Sequence, residues 1–243
     1  MKPEGSSSNN GQPGPSSRLI PILTKLAHGS APFLSTFLVI HLSAPVLANF
    51  GGSNLSSKLM LLGREYYQTA LGERYLLLTP LAIHVASSVA KRLVSPPKQP
   101  RKLTSLLSIT GYAALLVFIP IHFSTHRLAP TDASAPIFAV GPSELDYEFV
   151  KTGLAQFPWR SWALYTGLVA SVLVHMVEGD NVILPMWLGA PRIPSRTRKV
   201  IACMVALPVL LGVWTLSKEP LMALTSLAER YSASFARCWV YRL

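Results

Sequence analysis

Four histidines stand inside long apolar stretches of this chain, His41, His84, His122 and His175, and His126 follows one turn beyond His122. An ionisable side chain at hydrocarbon depth is costly, and marks a functional site by default. A lone imidazole there is usually satisfied by a hydrogen bond across helices. Four on four successive apolar stretches call for a shared explanation. Counting about 1.5 Å per residue from the N-terminal side gives depths of about 8 Å for His175, 13 Å for His84, 15 Å for His41 and 27 Å for His122. Neighbouring depths pair His84 with His175 and His41 with His122, the two diagonals of an up-down bundle.

Neutral imidazoles facing across a bundle core are what a six-coordinate b-type haem requires, because the iron takes an axial nitrogen from each side. The expectation is haem b, one or two per chain. The estimated depths of His41 and His122 differ by about 12 Å, so a single haem between His41 and His84 is the alternative, unless tilt or a shifted boundary closes the gap. Arg92, beside the first pair, and Arg127, beside the second, can hold propionates or snorkel to lipid headgroups.

These side chains need a frame, and the apolar blocks supply it. A helix needs about 17–25 mostly apolar residues to cross the hydrocarbon core. Five blocks meet that length, from Pro32 to Phe50, Tyr75 to Val94, Leu103 to Phe123, Trp159 to Val177 and Val200 to Leu216. The predicted fold is therefore all-α, a five-span transmembrane helical bundle with short interfacial helices and a disordered N-terminal tail. Residues 1–17 form the tail, 18–217 the transmembrane domain and 218–243 an amphipathic C-terminal segment, with a helix from Leu216 to Tyr231. Interfacial helices are expected over Arg18–His28 and within Ser53–Arg74. The stretch Ser95–Arg101 reads as a short proline-rich loop, and Leu128–Phe157 as the longest, most acidic one. Pro45, Pro80 and Pro120 bend their spans. Gly111 and Gly167 allow close helix approach or clearance for a cofactor.

The chain of 243 residues carries a net charge of +11. Its basic residues sort by loop: Arg18, Lys25, Lys91, Arg92, Lys98, Arg101, Lys102, Arg192, Arg196, Arg198 and Lys199 share the N-terminal side. Glu65, Glu73, Asp132, Glu144, Asp146 and Glu148 lie on the other. That bias predicts a cytosolic N-terminus. Cations flanking apolar spans meet anionic headgroups before nucleic acid, so membrane lipids are the expected partner. Cys203 and Cys238 read as free thiols. No nucleophile–base pair, acidic dyad or phosphate loop is present, so the chain is not expected to be an enzyme, redox activity through haem being the open case. With no apolar signal-peptide region at the N-terminus, the spans are expected to carry the targeting information.

Three stretches carry a resemblance: GREYYQTALGERYLLLTPLAIHVASSVAKRL (Gly63 to Leu93), PIHFSTHRLAP (Pro120 to Pro130) and WALYTGLVASVLVHMVEG (Trp162 to Gly179). They resemble the transmembrane domain of the fungal mitochondrial adaptor family, over roughly residues 30–217. The resemblance implies an integral protein of the mitochondrial outer membrane in lipid homeostasis and membrane contact sites, recruiting a VPS-thirteen-type lipid-transfer protein. That domain is in turn similar to the cytochrome b anchors of succinate dehydrogenase and fumarate reductase, which implies His41, His84, His122 and His175 as candidate axial ligands. The family attracts its partner through a Pro-X-Pro element in the tail. Pro13-Gly14-Pro15 gives the pattern, but no apolar residue lies between Ser6 and Gln12.

Overall fold

The structure, a computed structural model, describes residues 15–96 and 102–242, all in helices and their connections. The helices are α1 (Pro15–Tyr67), α2 (Gly72–Val94) and α3 (Leu106–Thr131), α4 (Tyr147–Gln156), α5 (Pro158–Leu188), α6 (Ser195–Lys218) and α7 (Thr225–Arg237). Five of them, α1, α2, α3, α5 and α6, are long and apolar enough to cross a bilayer. Four of them contain an expected block whole, and α3 begins three residues into the block from Leu103 to Phe123.

Two charged pairs bracket the bundle. Arg127 donates twice to Glu73, at 2.7 and 2.8 Å, where α3 meets α2. Arg198 donates to Glu178 at 2.8 Å where α6 meets α5. From Glu73 to Lys91, α2 rises about 27 Å, close to the hydrocarbon thickness of about 30 Å. The end carrying the N-terminus is the tail end. Beyond Glu73 and Arg127 lies a cap.

Several boundaries differ from expectation. The segment Arg18–His28 is not a separate helix, since α1 continues through Pro21, Pro32 and Pro45. In a bundle, the hydrogen bond lost at each proline is tolerated where neighbouring helices support the chain. Helix α1 breaks instead at Gly51-Gly52, where Gly52 has φ of 58°. This left-handed conformation costs glycine little, and a side chain there would collide with Glu219.

Past the break, residues 53–67 do not rest flat on a membrane. They run back along α1: Leu59 and Met60 pack near Ala44 and Ala48, and Tyr67 meets Phe37 edge-on with ring centroids 5.1 Å apart. The predicted loop over 128–157 contains α4, whose Asp146 caps it by accepting from Glu148 N–H at 2.8 Å. The C-terminal helix starts at Thr225 rather than Leu216, because α6 runs on to Lys218 before Pro220.

Helices α2 and α3 contain wide π turns, Gly72–Leu78 ahead of Pro80 and Ala114–Phe118 ahead of Pro120. A third, Ser124–Leu128, carries His126. Proline removes an N–H from the regular ladder, and widened turns absorb the mismatch. Helix α1 packs on α2 and α6, α3 on α5, and α5 on α6. Among the described residues α2 and α3 share no comparable packing, which leaves a seam between the α1–α2 and α3–α5 layers.

The cap joins α4, α7 and the 53–67 limb. Ile137, Phe149, Tyr231 and Phe235 form its fully buried centre, each such side chain contributing roughly 1.5–3 kcal/mol by burial. Lys151, 2% exposed, donates to Glu148 at 2.5 Å and to Glu219 at 3.3 Å. Glu219 also accepts from Ser53 N–H at 2.9 Å, tying the cap to the break in α1.

Candidate functional site: imidazole pairs across the seam

The histidines meet across the seam in the two diagonals that their depths predict. His84 of α2 faces His175 of α5, with ring centroids 6.1 Å apart and planes at 84°. His41 of α1 faces His122 of α3 at 5.9 Å and 85°. The alternative pair, His41 with His84, does not form. The estimated depth mismatch disappears because Ala27 and Leu107, whose carbonyls meet the facing rings of His84 and His175, lie at one level. From Ala27 to His41 is about 21 Å and from Leu107 to His122 about 22 Å.

At the tail-end pair, the backbone fixes both tautomers. His84 Nδ1 lies 2.9 Å from Ala27 O, with Ser30 Oγ at 3.3 Å. His175 Nδ1 lies 2.9 Å from Leu107 O. A carbonyl oxygen only accepts, so each Nδ1 carries the proton, and in the neutral ring each Nε2 keeps its lone pair. Metal-bound histidines are oriented by the same second contact. Gly111 makes one of these contacts possible: a Cβ there would lie 2.7 Å from the His175 ring, between it and the α3 backbone.

The cap-end cluster is held by side chains. His41 Nδ1 is 3.4 Å from Tyr67 Oη, and the ring stacks on Phe37 with centroids 5.2 Å apart. His126 stands beside His122, centroids 4.6 Å apart, and its Nε2 is 3.3 Å from Tyr165 Oη. Ile121, His122, Thr125, His126, Leu164 and Tyr165 surround a small recess. Thr125, 1% exposed, has no hydrogen-bond partner for Oγ1.

Arg127 is paired with Glu73 at the α2–α3 junction. Arg92 is half-buried near the end of α2. Pro13 lies outside the described residues, as does most of the predicted tail, and Pro15 opens α1. Ser30, Tyr67 and Tyr165 escaped sequence reasoning. Only Gly111, four residues after Leu107, gave a sequence signal for the carbonyl contacts.

The donor set suits one kind of metal group. The ring centroids of the two pairs stand 5.9 and 6.1 Å apart, comparable to two imidazoles sharing one ion through bonds of about 2 Å. No group of three or more His, Cys, Asp or Glu that could hold a bare ion occurs among the described residues. Two axial nitrogens without further protein ligands fit a metal whose remaining positions are filled by its own macrocycle.

No curated protein and no solved structure matches the chain. Residues 117–214, which include His122, His126 and His175, match the family model described as MDM10-complementing protein 1, transmembrane domain. Over these residues the chain is similar to that transmembrane-domain family.

Proposed function

We propose that this chain is a mitochondrial outer-membrane protein of lipid homeostasis whose bundle binds b-type haem between facing histidines. The observation that carries the haem reading is the tail-end pair, where two backbone carbonyls take both Nδ1 protons and both Nε2 lone pairs stay available. His84 and His175 would hold that group, and His41 and His122 are the candidates for holding a second. Haem held there would supply one-electron exchange. The chain's own residues orient the rings through Ala27 O and Leu107 O, keep the approach open at Gly111, and exclude water with the apolar faces of α2, α3 and α5.

The absorption spectrum of detergent-purified protein tests this directly. A Soret band that drops by half or more in both His84→Ala and His175→Ala supports it. A wild-type protein without the band refutes it.

A second role is favoured by the family match, whose printed name concerns complementation of MDM10. In this reading the chain is an adaptor that recruits a VPS-thirteen-type lipid-transfer protein through Pro13 and Pro15, from a cytosolic N-terminus. Deleting residues 1–14 should abolish recruitment while leaving the absorption spectrum unchanged. Recruitment that persists after the deletion would discard the tail as the docking element.

A further inference from the structure

The recess beside His122 and His126 is lined by groups that the proposed axial pairing leaves unused. Thr125 Oγ1 is buried without a partner. Threonine in a regular helix can return its hydroxyl hydrogen to the carbonyl one turn back, but Thr125 sits in the π turn Ser124–Leu128. Such widened turns recur at functional sites. Facing it are His126 and Tyr165, whose Nε2 and Oη are 3.3 Å apart. Whichever of these two donates, the tyrosine oxygen keeps unused hydrogen-bonding capacity. The rest of the lining is Phe118, Ile121 and Leu164 with the rings of His122 and Tyr241.

The remaining space takes about one water-sized group, near the minimum for holding a single oxygen atom. We propose that this recess is a binding site for one hydroxyl-type oxygen, held between Thr125 Oγ1 and the His126–Tyr165 couple. A hydroxyl both donates and accepts, so it satisfies the threonine under either histidine tautomer. A ketone or ether oxygen only accepts, so it takes the threonine hydrogen but leaves the tyrosine oxygen unserved when Tyr165 donates to His126. The source is an internal water or the hydroxyl tip of a bilayer-soluble alcohol entering past Ile121 and Leu164.

The site does not depend on haem, because the orphaned hydroxyl belongs to α3 and the recess is built by α3, α5 and Tyr241. The sign of one stability change tests it. A buried hydroxyl with no partner is improved by an isosteric methyl, whereas a hydroxyl holding a bound oxygen is damaged by it. Thr125→Val in the full chain, in nanodiscs of a single phospholipid, is expected to lower Tm by about 2–4 °C, and Thr125→Ser to leave it within about 1 °C. An unchanged or raised Tm for Thr125→Val overturns the proposal.

A density map that resolves the neighbouring imidazoles gives the second arm. Wild type and Thr125→Ser should show a peak bonded to residue 125 and to Tyr165 or His126, absent from Thr125→Val. An isolated peak identifies water, and one continuing past Ile121 or Leu164 identifies a co-purified alcohol. An empty wild-type recess, or a Thr125 hydroxyl bonded to its own helix, overturns the site.

Discussion

The two ends of the seam hold the same side chains in different ways. At the tail end, His84 and His175 are locked by main-chain carbonyls of α1 and α3. At the cap end, His41 and His126 lean on tyrosine hydroxyls at longer distances, 3.4 and 3.3 Å. A carbonyl contact defines the tautomer outright, while a hydroxyl can donate or accept and leaves it open. The tail-end site is therefore fixed by helix packing alone. The cap-end site depends on Tyr67, on the limb that folds back from Gly52, and on the cap that secures this limb.

The largest break in this comparison should come from Gly111→Val. Its side chain would occupy the space of the His175 ring, so cofactor loss at the tail-end site should match that of His175→Ala, with the cap-end site retained. Quantifying haem per chain in both variants checks this, and equal retention by Gly111→Val and wild type would contradict it.

Lys151→Met should come next. It leaves Glu148 and Glu219 facing without their shared, 2% exposed cation, and breaking such a buried pair costs about 3–5 kcal/mol. Hydrogen exchange should rise in residues 53–67 and 219–237 but not around His84 and His175. Uniform loosening of all the helices would mean that the ends are not independent.

A smaller effect is expected from Tyr67→Phe. Removing one long hydrogen bond should shift the spectral or redox signature of the cap-end site without releasing its cofactor, on the order of 1 kcal/mol. The matching loss at the tail end, through Gly111, should be complete.

The smallest effect belongs to acid. Glu144 is held below the usual carboxylate range by the hydrogen bond from Arg230, and then by the Gly141 N–H. Its folded pKa is below its unfolded one, so its contribution is present above the ordinary carboxylate pKa and fades as pH falls through the depressed value. Near-UV circular dichroism of the cap should change slightly below the ordinary carboxylate range. Arg230→Gln should move that change to higher pH.

The contrast between the ends also explains what the sequence could reveal. Pairing was legible, because the number of residues between a histidine and its span boundary is a measure of depth. The partners of the rings were not, since Ala27 O and Leu107 O are main-chain atoms that no residue type advertises. Only the absence of a side chain at Gly111 hinted at one of them. The five apolar blocks located the spans, but the fate of 53–67 turned on Gly52 and its fit against Glu219, a contact across more than half the chain. Helix α4 lay hidden in a short, weakly apolar segment whose burial comes from α1, α5, α6 and α7 together. Arg127 could not be assigned from spacing, because Glu73 competes for it across the α2–α3 junction.

Low-temperature electron paramagnetic resonance of the oxidised, purified protein tests the facing-imidazole site most directly. Two neutral imidazoles with planes at 84° predict a low-spin ferric signal of large anisotropy, whose tail-end share is lost in the His84→Ala, His175→Ala double variant while any share from His41 and His122, at 85°, stays. A wild-type protein with no ferric signal, or with only the high-spin signal of a five-coordinate iron, would contradict it.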